Sequence, residues 1–362
     1  MPLRFAKQLI SEDRFESAAF CDVDGDGVLD IISGEWWYRG PDFRERFRIG
    51  DIRAEGEYYD DFSTVVLDVN GDGRPDFITG GWWGNTIRWR ENPGVSGAPW
   101  PEHVIAEVGN VETTRAWDVD GDGELEIVPN TPNGPLRVFK PRRDAAGNFD
   151  MFTVFAGKQG HGLGFGDITG TGRGAFVLAG GWLEAPENPL GGGEWTWHPE
   201  FQLGSASIPV IVADLTGNGL GDLIVGQSHA YGLAWWEQVV EKGKRRWIPH
   251  PIDPFNSQYH DLHWLDIDGD GQPELVTGKR YRAHNGKDPG GGDPIGVYYF
   301  KWTGEGFAKQ VIDYGEPGVA SGAGIFFDLA DLDGNGYPDL LAPGKDGLFL
   351  FRNLGPTNKP TV

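Results

Sequence analysis

The sequence predicts an all-β fold: a seven-bladed β-propeller of four-stranded antiparallel blades, one domain over residues 1–362. Its ring is expected to close through an N-terminal strand that completes the last blade. Three observations carry this reading. An acidic nine-residue motif recurs at about the length of a propeller blade, each copy sits among short strand-like runs, and the opening run of the chain repeats a later one.

Strong copies of the motif start at Asp22 (DVDGDGVLD), Asp68 (DVNGDGRPD), Asp118 (DVDGDGELE), Asp266 (DIDGDGQPE) and Asp331 (DLDGNGYPD). Weaker copies start at Asp167 (DITGTGRGA) and Asp214 (DLTGNGLGD). Successive starts differ by 46, 50, 49, 47, 52 and 65 residues. A short run such as 17–21 leads into each motif, and a second such as 30–33 leaves it. A third, such as 87–90, follows a turn, and a fourth carries an aromatic and β-branched pattern, as in 307–312. Runs of this length bounded by turn residues are strands rather than helices. The segment FAKQLI at 5–10 nearly repeats FAKQVI at 307–312 yet precedes the first motif, so it belongs to the last blade. Closing the ring this way removes a free sheet edge.

Composition agrees. The 362 residues include 57 Gly and 25 Pro but 2 Met, and 39% are hydrophobic, enough to build a core. With 31 Lys+Arg against 54 Asp+Glu, the formal charge of −23 argues against nucleic acid or an anionic membrane as partner. No apolar run approaches the ~18 residues that a spanning helix needs. The first residues lack the apolar stretch of a signal peptide, which predicts a cytoplasmic location, or secretion if a leader has been trimmed away. Cys21 is the single cysteine, so neither an intramolecular disulfide nor a thiolate metal cluster can form.

The spacing Asp-x-Asp-x-Asp-Gly puts side-chain oxygens at positions one, three and five, as hard cations require. An EF-hand is rejected, because position twelve is Ser33, Thr79 and Pro129 in the first three copies and strands flank the loop. A carboxylate at position nine closes the set instead. Five structural Ca²⁺ sites are therefore expected: Asp22, Asp24, Asp26 and Asp30; Asp68, Asn70, Asp72 and Asp76; Asp118, Asp120, Asp122 and Glu126; Asp266, Asp268, Asp270 and Glu274; Asp331, Asp333, Asn335 and Asp339. Filling them would bring the formal charge from −23 to −13. The loops at Asp167 and Asp214 have lost most of their acids and are expected to bind nothing, or weakly.

These acidic loops between strands resemble the FG-GAP/VCBS repeats of integrin α-chain propellers and of many bacterial and fungal propeller proteins. The resemblance covers nearly the whole chain and implies the fold and Ca²⁺. Seven-bladed propellers of this kind include uronate-cleaving polysaccharide lyases, and the propeller of fungal aldos-2-ulose dehydratase is similar too. The resemblance supplies no residue-by-residue match to their catalytic groups.

If each acidic loop joins the first two strands of its blade, the residues before the first strand and after the second share the opposite face. That face collects His161, His229, His260 and His284 with Glu112, Tyr59, Tyr259, Trp83, Arg115, Lys279, Arg280 and Arg282. Glu112, His161 and His260 all stand six residues before a motif aspartate and are expected at one height around the channel. The longest spacing comes mainly from an insertion after Lys279, whose glycine run 290–292 reads as a binding loop. Aromatics beside cations, histidines and carboxylates suit a sugar bearing a carboxylate or keto group. Elimination there needs a cation to steady an enolate-like anion and a group to move the proton. Lys279, Arg280 or Arg115 is the expected cation, and His161, His260 or Tyr59 the expected base or acid. Glu112, His229, Tyr259, Arg282, His284 and Trp83 are expected to bind the substrate. An additional divalent metal, Zn²⁺ or Mn²⁺, on His161, His260 and Glu112 is a further expectation. The leading function is a carbohydrate carbon–oxygen lyase or dehydratase; the alternative is a non-catalytic glycan- or protein-binding propeller.

Overall fold

A computed structural model describes residues 2–356; Met1 and residues 357–362 of the expected domain lie outside the described residues. Seven four-stranded antiparallel sheets form the ring. Blade 1 runs Ala19–Cys21, Asp30–Ser33, Trp36–Tyr38 and Arg46–Arg48, and the next five blades repeat that order along the chain. In blade 7, Asp328–Ala330, Asp339–Ala342 and Leu348–Pro356 are completed by Leu3–Ser11, which pairs antiparallel with Leu348–Pro356. The expected closure is present. No α-helix occurs among the described residues, and no helix is long and apolar enough to cross a membrane.

The core lies between blades rather than within them. Each sheet presents apolar residues to both neighbours, so the middle strands are buried on both faces: Asp76–Gly80, Glu126–Asn130 and Asp222–Gly226 are buried at every position. Between blades 3 and 4, for example, Val128, Leu136 and Val138 meet Phe176, Leu183 and Trp195. Polar latches join the wheel nearer one face. The amides of Asn92, Gln238 and Asn353 donate to the carbonyls of Val23, Ile168 and Ile267, each at position two of the preceding blade's motif (2.8, 2.8 and 3.0 Å).

The motif works as a hairpin before it works as anything else. In all seven copies the first aspartate accepts the N–H of the glycine at position six, at 2.6–3.0 Å. Glycines at positions four and six take φ of 70–78° and 81–90° in every copy, backbone that an L side chain resists. This explains why glycines persist in blades 4 and 5 although the acids at positions three and five do not. The position-nine carboxylate, where present, accepts the position-two N–H, as Asp30 does from Val23 (2.9 Å) and Asp76 from Val69 (3.0 Å).

The insertion of blade 6 folds as a 3₁₀ turn over Ala283–Gly286, with Arg282, His284 and Asn285 at φ of 55°, 47° and 58°. The buried ammonium of Lys279 holds it, donating to the carbonyls of Gly290 and Asp293.

If the first aspartate is a backbone anchor independent of metal, Asp214→Ala in the acid-poor loop of blade 5 should cost stability even in chelator. We expect a loss of about 1–3 kcal/mol, because the N–H groups of Asn218 and Gly219 lose a charged acceptor. Urea unfolding with and without chelator measures it, and no change would show that the turn holds without this carboxylate.

Candidate functional site

The funnel mouth opposite the acidic loops is built from segments that enter the first strands and leave the second. Glu112, His161 and His260, at equal offsets in blades 3, 4 and 6, converge as their spacing predicts. Glu112 Oε1 lies 3.1 Å from His260 Nε2 and 3.2 Å from His161 Nε2. A fourth member, His229, follows the second strand of blade 5 and brings its Nε2 to 3.2 Å from His161 Nε2. The donor atoms of these four side chains all stand within 4.8 Å of one another. His260 is fully buried and Glu112 nearly so.

Their protons can be placed from the outer contacts. His161 Nδ1 donates to the Ala206 carbonyl at 2.8 Å, and His229 Nδ1 to the Asp288 carboxylate at 2.8 Å. A ring with its single proton at Nδ1 presents a lone pair at Nε2, and two such rings would turn their lone pairs on each other and on the Glu112 oxygen. Such an arrangement needs a cation between the atoms, either a proton or a metal. Burial, helped by nearby positive charge, holds His260 down to about 3 and His229 to about 4, so both rings are neutral. Burial pushes Glu112 up, but the His161 and His260 contacts outweigh it and hold the carboxylate well below its usual range. Three imidazoles, a carboxylate and a carboxylate-braced outer nitrogen are a donor set suited to a transition metal.

A cavity of about 330 Å³ opens beside the cluster. Tyr58, Phe62, Trp82 and Trp83 form one wall, His284, Asn285 and Lys287 of the insertion the other, with Glu112 and Arg280 also lining it. Arg280 is 3% exposed and paired twice with Glu16, at 2.8 and 3.2 Å. His284 stacks on His229 with ring centroids 4.4 Å apart, and its Nδ1 donates to Asp288 at 2.8 Å. Asp288 therefore braces two histidines at once.

Other expected residues stand elsewhere. Lys279 is spent inside the insertion, and the Arg282 guanidinium is paired with Glu57 (2.7 Å) at a separate hollow. The Tyr259 hydroxyl donates to Asp253 at 2.8 Å beneath the surface, and Tyr59 packs on Phe15 rather than lining the cavity. Arg115 is bound to Asp261 and the Ile208 carbonyl, each at 2.5 Å. It borders a larger cavity of about 500 Å³ at the acidic-loop end of the channel. That cavity is roomier, but its arginine is taken up by Asp261 behind the wall, whereas the ionisable groups at the mouth converge on a common point. Asp288, Phe62, Asn285 and Lys287 did not stand out in the sequence; the length of the insertion was the signal available for three of them.

Residues 68–129 and 214–277 match the model of the FG-GAP-like repeat, each stretch running from one acidic loop through the second strand of the following blade. No curated protein matches the chain. Among solved structures, it is similar over its whole length to BBS1N, crystallised in complex with ARL6DN and soaked with mercury. The two share 12% identity at a TM-score of 0.58, over 99% of this chain and 98% of that one. The lead-soaked form of the same complex gives 11% identity and a TM-score of 0.52, over 96% and 94%. YCF48 from Cyanidioschyzon merolae gives 12% and 0.47, over 98% and 100%. At these identities the BBS1N likeness shows the fold.

Lys345 lies at the edge of this site, its ammonium 3.5 Å above the Tyr58 ring and 3.9 Å from Glu16. Burial first, then Arg280 and Arg282, lower it to about 8, against the pull of Glu16 and Glu57. Between about pH 8 and the ordinary lysine value near 10.4, the unfolded chain keeps a proton that the native state has lost. Stability contributed at this position should therefore rise with pH in that window, by at most about 1.4 kcal/mol per unit. Urea unfolding at pH 7.5, 9 and 10.5 should show wild type gaining relative to Lys345→Met; parallel curves would refute the shift.

Proposed function

We propose that the mouth is the active site of a metal-assisted carbon–oxygen lyase or dehydratase acting on a single sugar unit that carries a carboxylate or keto group. The observation that carries this reading is the convergence of three imidazole nitrogens and a carboxylate oxygen beside an aromatic cavity holding a buried arginine. His161, His229, His260 and Glu112 would hold the metal, Zn²⁺ or Mn²⁺ by donor type. When bound, such an ion supplies Lewis acidity for an oxygen next to the acidified C–H. Trp83 and Tyr58 offer apolar faces for a sugar ring. Arg280, fixed by Glu16, is placed to receive the anionic or keto oxygen.

For the proton, His284 suits the geometry better than the expected His161 or His260. Those two direct Nε2 at Glu112, whereas His284 borders the cavity and has Nδ1 tied to Asp288, leaving Nε2 to accept. A cavity of about 330 Å³ is at the small end of ligand sites, which favours a free sugar or a chain end over the middle of a polymer. Structural Ca²⁺ in the acidic loops at Asp22, Asp68 and Asp331 belongs to the same proposal; the other two strong loops are treated below. The reading leaves nucleic acid and membranes without a role as partners.

A second reading is a binding propeller, favoured by the BBS1N structures, which record a propeller of this fold complexed with another protein. Ultraviolet absorbance during incubation with uronic-acid oligosaccharides and keto-sugars separates the two. We expect an unsaturated product band that 1,10-phenanthroline suppresses and EGTA spares, with His284→Ala and His161→Ala each reducing turnover at least 100-fold. Metal content should fall with His161→Ala but not with His284→Ala. Folded, metal-loaded protein that is silent on every substrate would favour the binding propeller.

A further inference from the structure

The acidic loops are not equivalent, and the difference lies in the third strand. Ladder register sets one third-strand residue opposite motif position nine in each blade, one step beyond pairs such as Ile127↔Phe139 and Leu275↔Phe300. Where positions three and five are both aspartate (blades 1, 3 and 6), that residue is Arg39, Lys140 or Lys301. Where both are uncharged (blades 4 and 5), it is Glu184 or Glu237. Loop charge and third-strand charge thus vary together within one chain.

In blades 3 and 6 the lysine enters the cage. Lys140 Nζ lies 2.7 Å from Asp120 and 3.1 Å from Glu126, and also bonds Asp122. Lys301 Nζ lies 2.8 Å from Asp270 and 3.2 Å from Glu274, and also bonds Asp268. Each ammonium has three donors and meets the same three carboxylates, at positions three, five and nine. These are oxygens that Ca²⁺ would need, since it takes six to eight at 2.3–2.6 Å. Carboxylates of both loops do lie within 4.8 Å of one another, close enough for an ion. The ion already among them is the ammonium.

Position nine repeats the distinction. In blades 1, 2, 5 and 7 it is aspartate, which reaches an N–H within or just past the third strand: Gly40, Asn92, Gln238 and Asn353 donate at 2.6–2.8 Å. In blades 3 and 6 it is the longer glutamate, and it meets the lysine instead. In blade 1, Arg39 approaches from outside, 2.7 Å from Asp24 with its side chain 40% exposed. In blade 2 the residue is Glu91, and in blade 7 Arg352 turns away to the Pro41 carbonyl at 2.9 Å.

We propose that Lys140 and Lys301 are built-in counter-ions standing where a divalent cation would sit, so that the loops of blades 3 and 6 are complete without calcium. The chain then binds at most three Ca²⁺ rather than five. This inference is independent of the function proposed for the mouth.

Calorimetric titration of chelator-stripped protein with Ca²⁺, checked by elemental analysis, should give a stoichiometry of three or fewer. Lys140→Met and Lys301→Met should each add one Ca²⁺. In wild type, hydrogen exchange of 118–126 and 266–274 should be unchanged by Ca²⁺, and in Lys140→Met it should slow at 118–126. Four or more ions in wild type, Ca²⁺-dependent protection of either loop in wild type, or folded methionine variants that gain no ion would each overturn the proposal. If the variants do not fold, wild-type exchange decides alone.

Discussion

Everything at the mouth depends on a contact at the other end of the blade: the first motif aspartate accepting the backbone N–H groups of its own loop. That contact fixes the hairpin between the first two strands and hence how far the first strand runs before the chain enters the funnel. Because the hairpin is the same in every blade, residues at a common distance ahead of it reach a common height. Glu112, His161 and His260 come from three blades and nearly 150 residues of chain, yet meet on one oxygen, Glu112 Oε1. Ring closure by Leu3–Ser11, paired with the strand at the far end of the chain, ties blade 7 to the N-terminal segment and so holds the blades in one ring.

The fold was legible because it is periodic. Seven copies of one turn, each demanding two left-handed glycines and one acceptor, leave a trace that survives even when Thr169, Thr171 and Thr216 replace the acids. The mouth was legible in outline by the same logic, because equal offsets predict equal heights. What could not be read was orientation. Lys279 ends a strand and Arg280 follows it in extended chain, where successive side chains point to opposite sides. One therefore turns into the insertion while the other turns to Glu16 and the cavity. Arg115 had a conspicuous charge but spends it on Asp261, a partner 146 residues away. Asp288 lies in a segment without periodicity, where no neighbour predicts where a carboxylate will go.

The charge pattern has a physical economy that the net figure of −23 conceals. Acids at loop positions three, five and nine repel one another, and a fold that brings them together must supply a counter-charge. Taking that charge from solution ties stability to ion concentration. A lysine on the facing strand is tethered, so its attraction comes without loss of a free ion's translational entropy. Its weakness is a single positive charge and three donors, fewer contacts than Ca²⁺ makes with a full oxygen shell. A tethered ammonium therefore suits a loop whose only task is to hold a turn.

The mouth obeys the opposite logic. There the cluster has no lysine within it: Arg280 is bound to Glu16, Lys345 sits over Tyr58, and His229 and His260 are kept neutral by burial. Outer hydrogen bonds from Nδ1 to Ala206 and Asp288 turn the Nε2 lone pairs of His161 and His229 inward, toward Glu112. The same protein that closes two acidic cages with its own ammonium lines this one, in the centre of its funnel and beside a cavity, with three imidazoles and a carboxylate. That contrast is what the metal proposed for the mouth rests on.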